Sequence, residues 1–587
     1  MKIRTSAFPI VVLLLLGLYT AVAPVPARAA APAPAIGKLG MVVSPQADAS
    51  AAGLAMLERG GNAIDAAVAT AFALGVSDPH HSGIGGGGFI LIRLKGGTAV
   101  AIDARETAPA AASAGMFLKP ELPENASRLG AHAVATPGLL KGLAWALEDF
   151  GTRSLAEVLE PAIRIAEQGF AVGSRHASAV ALCQELGGAR LFPETAAIQL
   201  PPGGAPIEPG WRLVQRDLAT TLRRIAAEGP DLFYRGALAR AMVDAVQERG
   251  GILTFEDLER YRAIRREPIR GSYRGYEILS FPPPSSGGIA LVEIANILEP
   301  FDLGARGAGS SASLHVIAEA MKLAFADRAA FLGDSDFVDV PIAELTSKRY
   351  ADRQRARMHP ARWRRAPWSW CGRESAIRVE GPGEPAAGGG TSHLSVTDAE
   401  GNAVAITQTI NLLFGSGITV PGTGILLNDE MDDFSVRPFQ PNAFGLLDTR
   451  GSNAIAPGKR PLSSMTPTIV VKDGKPFMVT GSPGGPRIIT ATLLTILNVV
   501  DYDMDVQEAV SAPRFHHQWM PDQLVVERAV PLDVTLALRR RGHRIEVSRQ
   551  DWSSAQAIVV DPASGWHLGA SDPRGDGVAL GYSPSTP

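Results

Sequence analysis

A threonine at the junction of two contrasting stretches of the chain has the sequence surroundings of a nucleophile. Thr391 follows a glycine-rich and proline-rich segment that ends in Gly388-Gly389-Gly390, and it opens an apolar strand pattern that runs to Asp398. If the chain were cut before Thr391, the threonine would carry a free α-amine with an unperturbed pKa near about 8. That amine could serve as the base for its own hydroxyl, which is the chemistry of N-terminal threonine nucleophiles. The alternative is an ordinary strand residue, because threonine is common in strands.

Other motifs have structural interpretations. The glycine run at 83–88 contains the spacing of a dinucleotide-binding loop, but a helix pattern precedes it and a strand pattern follows, which is the reverse of the required order. The run therefore predicts close backbone packing. The pairs His80-His81 and His516-His517 lack the spacing of metal ligands, because adjacent residues on a strand point in opposite directions. We expect no metal and no cofactor.

Composition excludes several classes of protein. The chain has 587 residues, of which 46% are apolar and 20% charged, as in an ordinary globular protein. Its 56 basic and 59 acidic residues give a net charge of -3, so no nucleic-acid partner is expected. Two cysteines, Cys183 and Cys371, are too few for a disulfide framework or a zinc site.

The N-terminus has the layout of a secretory signal peptide. Basic Lys2 and Arg4 precede an apolar run that ends near Ala23, and a small-x-small pattern closes at Ala29. The alternative is a membrane anchor, but the run is shorter than the roughly 20 residues that a span needs. We expect residues 1–29 to be removed near Ala29, leaving a periplasmic or secreted protein without a stable membrane anchor.

Helices and strands alternate along the rest of the chain. The patterns predict two helices within 44–76, a mostly helical stretch over 136–260 and a long helix over 313–332. Strand pairs are predicted at 89–95 with 98–103, at 391–398 with 403–409, and at 467–472 with 475–480. Sheets covered by helices fit a layered α/β sandwich. The segment 354–390 reads as a flexible linker.

Eight long motifs occur in the order found in one enzyme family. The chain resembles the bacterial γ-glutamyltransferase (γ-glutamyltranspeptidase) family of N-terminal-nucleophile hydrolases over about 38–583. The motifs lie at 82–89, 105–109, 281–288, 391–396, 426–435, 461–465, 481–487 and 513–517. The resemblance implies an α/β fold in the form of a four-layer αββα sandwich.

The resemblance also implies a precursor that cuts itself between Gly390 and Thr391. Residues 30–390 would form a large subunit and residues 391–587 a small subunit, which stay together as a heterodimer. Thr391 would attack the γ-carbonyl of a γ-glutamyl compound, and Thr409 would hydrogen-bond the nucleophile. The backbone N–H groups of Gly484 and Gly485 would form the oxyanion hole.

Substrate recognition follows from the same resemblance. The α-carboxylate of the donor would be bound by Arg105, Ser463 and Ser464, and its α-ammonium group by Asn411, Glu430 and Asp433.

Two positions depart from the family pattern. Position 430 is Glu where many bacterial relatives have Gln, and the lid loop at 436–450 has Phe444 where Tyr is common.

The expected activity is that of a γ-glutamyltransferase and glutathione hydrolase. It would cleave glutathione, γ-glutamyl peptides and glutamine, and it would transfer the acyl group to water, amino acids or peptides. One alternative is a glutaryl or cephalosporin acylase of the same superfamily, whose substrate has no ammonium group to bind. Another is a non-catalytic periplasmic binding protein.

Overall fold

The computed structural model describes residues 31–185, 192–358, 389–550 and 552–584. The expected signal peptide and most of the expected linker at 354–390 therefore lie outside the described residues. The described residues from Pro34 onward belong to one compact unit. Within the described ranges, no helix combines the length and the apolar character that a membrane span needs.

Strands are distributed along almost the whole described chain. They are β1 (Ala35–Gly37), β2 (Gly40–Ser44), β3 (Gly87–Arg93), β4 (Ala99–Ala104), β5 (Phe170–Ala171), β6 (Arg212–Leu213), β7 (Ile264–Arg266), β8 (Ile269–Tyr273), β9 (Tyr276–Ser280), β10 (Gly389–Asp398), β11 (Ala403–Leu412), β12 (Thr468–Lys472), β13 (Lys475–Gly481), β14 (Phe515–His516), β15 (Leu524–Val526), β16 (Ile545–Val547), β17 (Gln556–Val560), β18 (His567–Ser571) and β19 (Val578–Tyr582).

Two large sheets, each of seven described strands, form the centre of the fold. One has the order β1-β18-β17-β13-β12-β9-β8, and the other has the order β19-β2-β10-β11-β3-β4-β7. Neighbouring strands in both sheets are antiparallel. Smaller sheets pair β14-β15-β16 and β5-β6. Strand β10, which carries Thr391, lies inside the second sheet between β2 and β11.

The alternation of side chains along each strand explains the layers. In β3, Phe89 and Leu91 belong to the core between the two sheets, whereas Ile90 and Ile92 belong to the core beneath the helices. Phe89 stacks on Phe281 from the opposite sheet with ring centroids 4.1 Å apart. Strands of both sheets are thus apolar on two faces, as expected for inner layers.

Helices cover the outer face of each sheet. Those packed on the second sheet include Ala47–Glu58, Ala63–Ser77, Leu139–Phe150, Leu155–Gln168, Arg216–Glu228, Asp231–Tyr234, Ala237–Gln247 and Phe255–Arg260. Those packed on the first sheet include Gly287–Leu298, Ser311–Phe331, Ile342–Leu345, Lys348–Arg355, Arg487–Val500, Val506–Ser511 and Leu532–Arg540. Other described helices are Ser174–Glu185, Pro193–Gln199 and Leu303–Arg306. The predicted four-layer αββα sandwich is confirmed.

Local sequence signals account for several of these elements. Gly60 has φ +79°, so it ends the first helix in the left-handed conformation that glycine favours. Asn62 then caps the helix Ala63–Ser77 in a capping box with Asp65. The glycine run packs as predicted, since a Cβ at Gly88 would lie 2.8 Å from the carbonyl oxygen of Thr407.

Candidate active site

The two predicted threonines face each other on neighbouring strands. Thr391 and Thr409 are register partners, and their hydroxyl oxygens lie 3.1 Å apart. The Thr409 hydroxyl donates to the carbonyl oxygen of Gly390 and accepts from the N–H of Asn411 at 2.8 Å. Because a hydroxyl has a single hydrogen, Thr391 must be the donor in the pair. This chain of bonds polarises the carbonyl that precedes Thr391.

A buried polar network lies next to Thr391, and the sequence analysis did not identify it. The hydroxyl of Ser392 donates to the Asp78 carboxylate at 2.6 Å. Asp78 also faces Nδ1 of His81 at 3.1 Å and Nδ1 of His80 at 3.5 Å. The two imidazole rings lie 3.9 Å apart and face the same carboxylate, so the opposite directions of neighbouring strand residues do not describe this pair. They occupy a turn after the helix Ala63–Ser77, where the strand alternation does not apply.

Arg105 is the centre of a second buried group. One guanidinium nitrogen donates to Glu430, the other to Asp433, and Nε donates to the carbonyl oxygen of Pro461 at 3.2 Å. The Glu106 carboxylate lies 3.7 Å from the guanidinium. The residue expected to bind a carboxylate therefore contacts two of those expected to bind an ammonium group. Two guanidinium N–H groups remain for a ligand, because arginine has five.

Burial controls the ionisation of these carboxyl groups. It raises the pKa of Glu106 to about 7 and the pKa of Glu430 well above its usual value, although Arg105 opposes both shifts. Burial acts to lower the pKa of Arg105, but Glu430, Asp433 and Glu106 outweigh it and raise that pKa. The guanidinium stays charged, whereas Glu106 and Glu430 ionise less readily than free carboxyl groups.

The predicted serines are positioned by another motif of the sequence. The N–H of Ser463 donates to the carbonyl oxygen of Pro284, and the N–H of Ser286 donates to the carbonyl oxygen of Ser463, both at 2.8 Å. The segment at 281–288 thus holds the segment at 461–465 against the cavity. Arg328 supports this contact through a 3.1 Å bond from its Nε to the hydroxyl of Ser286.

The two predicted oxyanion glycines precede a helix. Gly484 has φ +126° and Gly485 has φ +57°, conformations that side chains rarely adopt. The helix Arg487–Val500 begins just after them, so its N-terminal dipole favours negative charge at this point. A side-chain carbon at Gly485 would lie 2.6 Å from the ring of Phe444, which covers this glycine.

One cavity brings most of the predicted residues together. Its lining comprises Arg105, Thr391, Thr409, Asn411, Glu430, Asp433, Phe444, Leu446, Leu462, Ser463, Ser464, Met465, Gly485 and Ile488. Gly484 lies one residue before this lining and faces Ser553. Sequence reasoning named Phe444 but missed the rest of the apolar wall and Glu106, although Glu106 follows Arg105 in a quoted motif. It also missed that Asn411 has φ +78°.

A threonine near the start of a strand inside an αββα sandwich, beside a buried arginine and a glycine turn, is typical of the class of N-terminal-nucleophile hydrolases. The profile of the γ-glutamyltranspeptidase family matches residues 49–582. The chain therefore belongs to the γ-glutamyltranspeptidase family and is an enzyme.

Similar proteins include enzymes of two kinds. The chain is 45% identical over 558 residues to the glutathione hydrolase proenzyme of Escherichia coli, covering 94% of this chain and 93% of the relative. It is 43% identical over 559 residues to the acylase ACY 1 proenzyme of Pseudomonas sp. strain SE83, covering 94% and 95%. The cephalosporin acylase structure from Bacillus halodurans superposes with a TM-score of 0.82 at 31% identity, covering 96% and 99%.

Proposed function

We propose that this enzyme is an exported γ-glutamyltransferase and glutathione hydrolase that activates itself by cutting its own chain. Membership of the γ-glutamyltranspeptidase family supports γ-glutamyl transfer and hydrolysis as its chemistry. The signal-peptide pattern at 1–29 supports export to the periplasm or the medium. The finer assignments below concern the bond that is cut, the catalytic groups and the donor-binding groups.

The geometry around Gly390 supports cleavage of the Gly390–Thr391 bond. The Thr409 hydroxyl donates to the carbonyl oxygen of Gly390 and accepts from the hydroxyl of Thr391. Attack of the Thr391 oxygen on this carbonyl carbon would form an ester and release the α-amine, and water would then release the carboxylate of Gly390. The products are a large subunit, 30–390, and a small subunit that begins with Thr391.

In the processed enzyme, Thr391 is the proposed nucleophile and its α-amine the base. The hydroxyl oxygen attacks the γ-carbonyl of the donor, the amine accepts the proton, and Thr409 keeps the hydroxyl oriented. The N–H groups of Gly484 and Gly485 stabilise the oxyanion, a contribution typically of about 3–4 kcal/mol per lost donor. Water or an amino group then attacks the γ-glutamyl ester and regenerates the threonine.

The number of acidic groups around Arg105 is the observation that supports a γ-glutamyl donor. Glu106, Glu430 and Asp433 surround one guanidinium in a buried site, so the acids outnumber the base. The ammonium group of a ligand would pair with these acids and favour their charged form, whereas its carboxylate would use the remaining guanidinium N–H groups. Ser463, Ser464 and Asn411 supply neutral hydrogen-bonding groups beside it. A free amino-acid end, as in glutathione, has both charges.

A second candidate is hydrolysis of glutaryl amides. The 43% identity to an acylase proenzyme is close to the 45% identity to a glutathione hydrolase proenzyme, so similarity alone does not separate these activities. A glutaryl donor has no ammonium group and would leave the acidic surplus around Arg105 unbalanced. The carboxylates therefore favour the γ-glutamyl donor.

Self-cleavage is tested by comparing wild type with Thr391→Ala. We expect two bands on a denaturing gel for wild type, with the smaller chain beginning at Thr391 by N-terminal sequencing. Thr391→Ala should give one band, because the attacking hydroxyl is gone. Thr391→Ser keeps a hydroxyl and serves as the matched control that still cleaves. A folded wild-type chain that remains intact would contradict the proposal.

The donor is tested with two chromogenic anilides that differ only in the α-amino group. We expect the γ-glutamyl anilide to have a kcat/KM at least about tenfold above that of the glutaryl anilide, since one buried charge pair supports that difference. Glutaryl anilide as the better substrate would show that the acylase alternative is correct.

A further inference from the structure

The main chain of the cavity wall at Phe444 is held by a side-chain amide, that of Gln518. Nε2 of Gln518 donates to the main-chain carbonyl oxygens of Phe444 at 3.2 Å and Gly445 at 3.1 Å. The carbonyl oxygen of Met520 lies at a longer 3.4 Å. Phe444 lines the cavity together with Thr391 and packs over Gly485. The position of this wall relative to the nucleophile therefore depends on a residue from outside the cavity.

The orientation of the Gln518 amide is fixed by a histidine. Oε1 of Gln518 lies 2.9 Å from Nε2 of His516, and Nδ1 of His516 lies 3.0 Å from the hydroxyl of Thr490. Because the amide nitrogen faces carbonyl oxygens, its oxygen must accept, so His516 has its hydrogen on Nε2. Burial and Arg487 lower the pKa of His516 to about 3, which keeps the ring neutral.

These bonds connect two opposite sides of the cavity. Thr490 lies in the helix Arg487–Val500, which begins just after Gly485. The chain of hydrogen bonds runs from this helix through His516 and Gln518 to the segment that covers Gly485. A shift of the wall would therefore change the space above the proposed oxyanion donors.

The wall segment is hydrogen-bonded within itself, and its apolar side chains pack in the core beneath the helices of the first sheet. The side-chain oxygen of Asn442 accepts from the N–H groups of Phe444 and Leu446, each at 3.1 Å. The N–H of Ala443 donates to the Asp432 carboxylate at 3.0 Å. Asp432 holds one end of this turn and Gln518 the other. The Phe444 side chain has no polar group of its own to add a further hydrogen bond.

We propose that Gln518, oriented by His516, is a positioning residue that fixes the Phe444 wall over Gly485 and thereby sets the shape of the donor site. The proposal rests on the proposed function, because it treats this cavity as the site of acyl transfer. Gln518 does not touch the reacting atoms. Its loss should change how well the donor is held while the nucleophile itself stays in place.

The test compares Gln518→Glu and Gln518→Met with Gln507→Glu in the full-length, processed enzyme. Glutamate has nearly the shape of glutamine but cannot donate to two carbonyl oxygens, and methionine removes the donors without adding a charge. Gln507, whose Nε2 donates to the hydroxyl of Ser511 at 3.1 Å, provides a matched glutamine-to-glutamate substitution in the helix Val506–Ser511. Hydrogen exchange of peptides spanning 440–447 is measured with KM and kcat for a γ-glutamyl anilide.

We expect both Gln518 variants to exchange amides within 440–447 about tenfold faster than wild type. KM should rise about tenfold with a smaller change in kcat, because the substitution affects the wall rather than the nucleophile. Gln507→Glu should match wild type in both measurements.

Unchanged exchange at 440–447 in Gln518→Met would overturn the proposal, and so would faster exchange with KM and kcat unaltered. Failure of the proposed function gives a different experimental result. A wild-type chain that neither cuts itself nor releases product from the γ-glutamyl anilide would contradict the activity, whereas the exchange measurement tests the attachment of the wall without any substrate.

Discussion

At the scale of single residues, the acids around Arg105 make the donor site sensitive to pH. The pKa of Glu106 is raised to about 7 and that of Glu430 well above its usual value, with burial as the main cause. A carboxyl group with a raised pKa is neutral below that pKa and charged above it. The negative charge that would attract a donor ammonium group therefore develops as the pH rises through neutrality.

This charge predicts tighter donor binding at higher pH. Between about pH 6 and pH 8, we expect the Ki of an unreactive γ-glutamyl analogue to fall about tenfold, because one buried acid becomes available to pair with the ammonium group. Glu106→Gln keeps the shape but does not titrate, so its Ki should change much less, because Glu106 is the acid of this group whose pKa lies at about 7. Competitive inhibition across this pH range measures both.

The control is Glu400→Gln, at an exposed residue that pairs with Lys95. It should keep the wild-type pH dependence. An equally steep dependence in Glu106→Gln would show that other groups titrate in the binding step.

At the scale of secondary structure, a bulge in β11, next to the strand that carries Thr391, explains how Thr409 reaches the bond proposed to be cut. Gly390 pairs with Asn411, but Thr391 pairs with Thr409, so Ile410 has no partner across the strand pair. Asn411 has φ +78° at this point. The bulge bends β11 and brings the Thr409 hydroxyl to the carbonyl oxygen of Gly390.

The bulge predicts that self-cleavage depends on the hydroxyl of Thr409. Thr409→Val preserves the branched shape but removes the donor to the Gly390 carbonyl, so we expect processing to slow about a hundredfold. Thr409→Ser keeps the hydroxyl and should process within a few-fold of wild type. The rate is read from the appearance of the small subunit on denaturing gels after expression of the precursor.

Processing of Thr409→Val at the wild-type rate would show that the hydroxyl does not assist the cleavage. A precursor that fails to fold would be recognised by loss of its cooperative thermal transition. The serine variant separates loss of the hydroxyl from loss of the methyl group.

Secondary structure was largely predictable where the signal is local. The pattern at 313–332 corresponds to the helix Ser311–Phe331, and the Gly96-Gly97 turn joins β3 and β4. Local periodicity and turn residues predict elements that form between residues close together in the chain. The partners of β10 are distant in sequence, so the order of the sheet and the bulge at Gly390 depend on packing that no short window contains.

The contacts within the site were predictable only in part, because they also depend on packing between distant parts of the chain. The resemblance placed Arg105 and Asp433 in one site, and the structure brings them together. It treated them as binding opposite ends of the donor, whereas their side chains also contact each other. Contacts such as Gln518 with the main chain of Phe444 need no particular sequence spacing, so the sequence contains no signal for them.

At the scale of the whole molecule, the proposed cut does not divide the fold. Strands β1, β8 and β9 precede Gly390 and share a sheet with β12, β13, β17 and β18, which follow it. In the other sheet, β10 lies between β2 and β11, and β19 pairs with the far edge of β2. Separation of the two subunits would therefore break backbone hydrogen bonds in both sheets.

This interleaving predicts that the two chains behave as one folding unit after processing. In size-exclusion chromatography without denaturant, we expect both chains in one peak, seen as two bands on a denaturing gel. Urea should unfold the processed enzyme in one transition that releases both chains together, because neither set of strands has a complete sheet alone. The uncut Thr391→Ala precursor, with the same strand pairings, is the matched comparison. If either subunit eluted alone in native buffer, or unfolded in a separate transition, the strands on the two sides of Gly390 would not depend on each other as these sheets require.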